Sequence, residues 1–272
     1  MIIKNLPQKT ILKETQLSGI GLHSGDQINI ALKPAEENQG FVFIRTDLNP
    51  NISIPALANF VSKTDRGTTI SKEGVEIKTI EHILAALVGC GINNCIIETS
   101  GGEIPIMDGS SIKFVEAIQK TGVKEQNALQ EVFEIDETIK ISDEITGSEI
   151  MIIPDSDLSI SVMIDFETEV LGTQNAILKD IKDFNTEIAN CRTFSFLHEL
   201  ETLLDKNLIK GGDVNNAIIY VNKPLAKANM DRLKKAFNKE DIAVKKNGIL
   251  NNLTLNHSNE AARHKLLDVI GD

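Results

Sequence analysis

Two stretches of nine residues constrain this chain more than any other feature of it. "EHILAALVG" (Glu81–Gly89) and "RHKLLDVIG" (263–271) share one order: a charge, a histidine, a helical apolar run, a glycine. Each comes late in a region whose β-branched runs are punctuated by Gly and Pro, as strands with turns are. Strands first and a His-bearing helix late, read twice, suggest an internal duplication. That order fits α+β layers better than an alternating βαβ chain. A length of 272 residues allows about two domains.

In the first half, "TILKETQLSGIGLHSG", "QINIALKP" and "GFVFIRT" read as strands, and "NNCIIETS" as a short buried one. The period then changes in "TIEHILAALVGCGINN", where Ile80, Ile83, Leu84 and Leu87 take helical spacing and Gly89 and Gly91 supply the stop. A second helix is expected from near Ser110 to Gly122, with Ser110 or Ser111 as N-cap. The polar, aperiodic segment 123–131 reads as a linker, dividing the chain into domains 1–123 and 131–272. Beyond it come strands in "VFEIDETIKIS", "SEIMIIP" and "LSISVMIDF", a hairpin turn in "EITGSEIMIIPD", and a terminal helix.

Asp and Glu number 39 against 28 Lys and Arg, a net charge of −11, which argues against broad nucleic-acid binding. An anionic small substrate would need a local basic pocket. Cys90, Cys95 and Cys191 form neither a CxxC pair nor an even disulfide framework, so a reducing cytoplasm is expected. The opening "MIIKNLPQKTILKETQ" lacks the apolar core and cleavage site of a signal peptide. No run approaches the roughly 18 apolar residues of a membrane helix.

Several side chains could carry chemistry. "GIGLHSG" (19–25) is not a dinucleotide fingerprint, because its last Gly falls one residue late; a tight turn explains its glycines and leaves His23 unusual. His264, Asp268 and Asp272 recur every fourth residue and so lie on one helical stripe. They make either a solvated face or, for His264 and Asp268, a chelating pair. A catalytic zinc takes three protein ligands; His82 from the other half would complete the set, with Glu81 beside it as general base. A Glu–His pair opening a helix is otherwise an ordinary surface feature. "ANCRTFSF" offers a Thr193 hydroxyl beside the Phe194 ring, or simply a strand edge with an exposed Arg192. The Gly pair of "LIKGGDVNNAIIY" reads as a turn before a strand.

Jointly, "GIGLHSG", "RTDLNP", "TIEHILAAL", "GINN", "EIPIMDGSS", "CRTFSF", "IKGGDVNNAI" and "ARHKLLDVIGD" resemble the UDP-3-O-acyl-N-acetylglucosamine deacetylases, the zinc amidases of lipid A synthesis in Gram-negative bacteria. The stretches span the chain in family order. The resemblance implies two similar α+β domains, each a sheet layer with helices, the helices packed between the two sheets. It implies Zn2+ held by His82, His264 and Asp268, with Glu81 as the base activating the attacking water. The substrate is UDP-3-O-acyl-N-acetylglucosamine, whose 2-acetamido group is hydrolysed to acetate and a free amine. Thr193 resembles the hydroxyl that bonds the oxyanion, and Lys265 the active-site lysine. Leu22, Phe194, Leu200, Ile209 and Val214 fall where the family lines an acyl groove, Gly212 keeps backbone close to it, and His23 falls in the substrate pocket.

One departure accompanies the match. The family continues beyond the position of Asp272 with a Gly-His pair, and Asp272 resembles the aspartate that orients that histidine. His23, His82, His198, His257 and His264 are the five histidines here, and none corresponds to it. The expectation is a deacetylase that lacks its C-terminal segment, or a catalytically impaired zinc- and substrate-binding fragment. Some family members are fused to a downstream hydroxyacyl-carrier-protein dehydratase.

Overall fold

The computed structural model describes residues 2–198, 216–222, 230, 231, 234, 240–250 and 253–272. Its first half begins with β1 (Ile2–Ile11), β2 (Thr15–Ile20), β3 (Gln27–Pro34), β4 (Phe41–Arg45) and β5 (Ile52–Pro55). A short antiparallel sheet follows: β6 (Val61–Lys63), β7 (Thr69–Lys72) and β8 (Val75–Ile77). Then come α1 (Glu81–Gly89), β9 (Cys95–Thr99), α2 (Ile112–Thr121) and β10 (Val123–Val132). A five-stranded sheet runs β2-β3-β9-β4-β5, with β9 antiparallel to β3 and parallel to β4. Alternation decides its faces: Ile28, Ile30 and Leu32 are buried while Gln27 and Asn29 are exposed.

Segment 123–131 is not a linker. It forms most of β10, antiparallel to β1, with Ile11 opposite Val123 and Ile2 opposite Val132. Its half-buried face is made of Gln126, Ala128, Gln130 and Val132. Two of these satisfy backbone: Gln126 Nε2 donates to Ala35 O at 2.9 Å and Gln130 Nε2 to Pro7 O at 3.0 Å. A strand whose inner face is glutamine shows no hydrophobic period, so pattern reading passes it over.

The second half contains the expected hairpin, β11 (Ile139–Ser142) with β12 (Glu149–Ile152). It adds the antiparallel pair β13 (Ile160–Ile164) and β14 (Gln174–Leu178) and the short α3 (Phe184–Glu187). The parallel pair β15 (Phe194–Phe196) and β16 (Ile218–Tyr220) and the terminal α4 (Glu260–Gly271) complete the described elements. The fold is mixed α+β, as expected. Helix α4 packs on α1 along one side and on β13 and β14 along another, while α2 packs on α1 and β2. Helices α1, α2 and α4 thus lie between the five-stranded sheet and the β13–β14 pair. One continuous core joins the halves, holding Phe43, Leu87, Phe114, Ala176, Phe184, Leu266 and Leu267. None of the helices among the described residues is long and apolar enough to cross a membrane.

The duplicated stretches meet directly, and their glycines explain how. Gly91, with φ +71°, makes the turn after α1. Gly89 is still helical, and a Cβ there would lie 2.0 Å from the buried ring of Phe184. A Cβ on Gly271 would lie 2.0 Å from the carbonyl oxygen of Glu81. Both glycines mark close approach of elements, a role their sequence context alone does not reveal.

Candidate active site

The α1–α4 crossing brings His82 from one helix against His264 and Asp268 from the other. The three can offer ligand atoms that all lie within 4.8 Å of one another. Asp268 Oδ1 is 3.7 Å from His82 Nε2 and 3.4 Å from His264 Nε2. The two imidazoles meet edge to face, with centroids 5.0 Å apart. Both histidines are buried.

Burial pushes the His82 pKa down to about 3, with His264 beside it adding to the effect. Burial likewise lowers that of His264. Both rings are therefore neutral near pH 7 and each keeps a lone pair. Burial tends to raise the pKa of Asp268, but His264, Lys265 and His82 outweigh it, so the carboxyl lies below its ordinary value. The Nδ1 of His264 lies 3.0 Å from the Cys191 carbonyl oxygen, which can only accept. That contact fixes the tautomer and turns Nε2 toward Asp268. His82 Nδ1 and Asp268 Oδ1 are buried without a hydrogen-bond partner. Such atoms are costly unless something takes their lone pairs. Two neutral imidazoles and a carboxylate with orphaned donor atoms fit a zinc ion.

Glu81 precedes His82 and is buried. Burial raises its pKa to about 7, and the charges of Asp268 and Asp272 add to the rise; the Thr68 N–H, donating to Oε2 at 3.0 Å, opposes it. A carboxylate with that pKa suits a general base near neutral pH. The Thr68 hydroxyl also donates to Asp272 Oδ1, so one loop residue holds both acids. Burial raises the Asp272 pKa as well. Lys265 Nζ donates to Asp268 Oδ2 at 2.8 Å and stands 5.8 Å over the Phe194 ring.

A cavity of about 850 Å³ opens over this cluster. Leu22, His23, Glu81, His82, Thr193, Phe194, His264, Lys265, Asp268 and Asp272 all line it. Leu200, Ile209, Gly212 and Val214 lie outside the described residues. The His23 loop is held by Glu103, whose carboxylate accepts the N–H groups of His23 and Ser24 at 3.0 Å each. Gly21 is needed there, because a Cβ would fall 2.5 Å from that carboxylate. Thr193 is fixed through its backbone, its N–H donating to Gly109 O at 2.7 Å and its carbonyl accepting from Ile218 N at 2.8 Å.

Sequence reasoning missed several neighbours. Thr68 sits in an unremarkable polar loop, and no local pattern marks it. Val162, Ile164 and Phe166 add an apolar wall from β13 and the turn after it; the strand was legible but not the face it shows the cavity. Ser111 does not cap α2 with its side chain; its hydroxyl donates to the His82 carbonyl at 2.7 Å. Arg192 is not an exposed strand-edge residue but is buried against Glu260.

Comparison with known proteins places the chain in a family. The family model described as UDP-3-O-acyl N-acetylglycosamine deacetylase matches residues 8–237. The bifunctional enzyme LpxC/FabZ of Chlorobaculum tepidum is 43% identical over 268 residues, covering 97% of this chain and 57% of the relative. That of Bacteroides thetaiotaomicron is 40% identical over 267 residues, covering 98% and 58%. The UDP-3-O-acyl-N-acetylglucosamine deacetylase of Myxococcus xanthus is 39% identical over 266 residues, covering 97% and 76%. The chain therefore spans less than three-fifths of the bifunctional relatives it matches. With a model covering most of its length and relatives aligned almost end to end, the chain belongs to the UDP-3-O-acyl N-acetylglycosamine deacetylase family.

Proposed function

We propose that the protein hydrolyses the 2-acetamido group of UDP-3-O-acyl-N-acetylglucosamine, a step of lipid A synthesis, using zinc held by His82, His264 and Asp268. The observation that carries this reading is the convergence of those ligand atoms within 4.8 Å, with Glu81 adjacent at a pKa of about 7. When bound, zinc supplies a Lewis acid that polarises the amide carbonyl and makes water a better nucleophile. Glu81 takes the proton of the attacking water and returns it to the amine nitrogen as the C–N bond breaks, leaving acetate and the free amine. The Thr193 hydroxyl, on the lining of the same cavity, donates to the oxygen on which charge develops. Lys265 balances the buried acids and faces the substrate. Leu22 and Phe194 border the acyl chain, and His23 contacts the sugar nucleotide.

The proposal extends to two domains, the first closed by β10, working in the cytoplasm and joined to a dehydratase as in the bifunctional relatives. A second reading is favoured by one observation: the only histidines lining the cavity among the described residues are His23, His82 and His264. Among the described residues no further imidazole stands beside Asp272, so on this reading the chain would bind zinc and substrate without turning over. Assay of acetate release, with zinc content measured on the same sample, tests both. Stoichiometric zinc and acetate release are expected. Zinc and substrate binding without acetate, restored in a chain extended as in the longer relatives, selects the second reading. A folded protein that takes up no zinc overturns both.

A further inference from the structure

Arg192 and Glu260 form a buried ion pair just outside the cavity. The Glu260 side chain is 0% exposed and that of Arg192 is 10% exposed. The guanidinium grips the carboxylate as a fork, Nε to Oε1 at 2.8 Å and Nη2 to Oε2 at 3.2 Å. The backbone N–H of Arg192 donates to the same Oε1 at 3.1 Å, and that of Asn256 to Oε2 at 2.6 Å. Nη2 also reaches Thr254 O at 2.6 Å. Glu260 is the first residue of α4 and stands one turn before His264. The fork therefore ties the chain at Arg192 to the start of the helix that carries two of the three proposed metal ligands.

Residues on both sides of Arg192 meet the site. The Cys191 carbonyl accepts His264 Nδ1 at 3.0 Å and sets which nitrogen faces Asp268. Thr193 lines the cavity. We propose that Arg192 and Glu260 are a positioning pair, which holds the Cys191 carbonyl against His264 and the Thr193 hydroxyl over the cavity in one fixed register. Neither touches substrate. The pair couples ligand orientation to oxyanion placement because the fork anchors Arg192 between Cys191 and Thr193, adding a tie to α4 beyond the backbone bonds of Thr193 to Gly109 and Ile218. Freed from Glu260, the 191–193 segment can shift relative to α4, and His264 loses the acceptor that selects its tautomer. This inference rests on the reading of His264 as a metal ligand.

The test compares the wild-type chain with Glu260→Gln, Arg192→Lys and the double apolar variant Arg192→Met with Glu260→Leu. Zinc alone is titrated against a chromogenic chelator, and kcat and KM are measured beside thermal stability. Loss of an outer-shell partner costs metal sites about 10–100-fold in affinity. We expect that loss in Glu260→Gln, with kcat falling and KM little changed, and a smaller effect in Arg192→Lys. The apolar pair can regain stability, since well-packed hydrophobes often replace a buried ion pair at no cost; its zinc affinity should stay weak. Should Glu260→Gln fail to fold, the other two variants carry the comparison. Wild-type zinc affinity in the folded variants, or its recovery together with stability in the apolar pair, reduces the ion pair to structure and overturns the inference alone. A wild-type chain that binds no zinc overturns the metal reading and this inference with it.

Discussion

Glu81 is held so that one change isolates its chemistry. Its Oε2 accepts the Thr68 N–H at 3.0 Å, and the amide oxygen of Gln can accept the same bond. Glu81→Gln therefore keeps the shape and removes the base. We expect zinc content to be unchanged and kcat to fall by about 10²–10⁴, the usual span for a lost acid–base group. Turnover and metal analysis on one sample check it, and a retained rate removes Glu81 from proton transfer. The cysteines present the opposite case. Burial pushes Cys90 up to about 11 and Cys95 and Cys191 up to about 12. A raised thiol pKa means less thiolate at a given pH, about one part in ten thousand at pH 8 for a pKa near 12. Iodoacetamide at pH 8 should leave Cys95 and Cys191 unmodified in the native protein and label them on unfolding, as mass spectrometry would read. At this scale the sequence made some residues legible and hid others. His264 and Asp268 were readable because the helical period puts them on one face. Thr68, Ser111 and Glu260 were not, because their partners lie 13 to 204 residues away on other elements.

Helix α1 reads as a helix from its apolar spacing, yet its environment reverses the surface expectation for Glu81 and His82. Eight of its nine residues are buried, because α4 covers the side a surface helix would show to water. Nothing within α1 announces that cover; the signal is the matching stretch about 180 residues later. The close contacts at the ends of these helices make a direct test. Gly89→Ala gains up to about 1 kcal/mol in helix propensity. The added Cβ meets the Phe184 ring at 2.0 Å, and that ring is fully enclosed. Overpacking of this kind costs about 1–3 kcal/mol. The clash should win, so Gly89→Ala should lower the denaturation midpoint, and adding Phe184→Leu should recover part of the loss beyond what the two single changes predict together. Additive effects would show that the ring moves aside freely. β10 carries the complementary lesson: hydrogen-bonding glutamines build its inner face, so a strand that closes the first half resembles a connector.

Across the whole molecule, the proposed zinc ligands come from helices far apart in sequence, His82 in α1 and His264 and Asp268 in α4. The unfolded chain brings them together only at a large entropic cost, so the metal binds the folded state preferentially. On the proposed reading, linkage makes zinc a clasp between the halves of one core. At a hundredfold excess over its Kd, a ligand specific for the native state adds about 2.7 kcal/mol. In chains of about 150–250 residues each kcal/mol moves the melting midpoint by about 2–4 °C. Stripping the metal should thus lower the midpoint by several degrees, and restoring zinc should raise it again. Asp268→Asn keeps the helix and weakens the clasp, so its response should shrink. His82→Ala should abolish the response while leaving the metal-free midpoint within a few degrees, since it also removes a buried ring nitrogen without a partner. A shift of equal size in wild type and His82→Ala would place the stabilising zinc elsewhere, on exposed carboxylates, and would detach the metal from the α1–α4 contact on which the proposed activity depends.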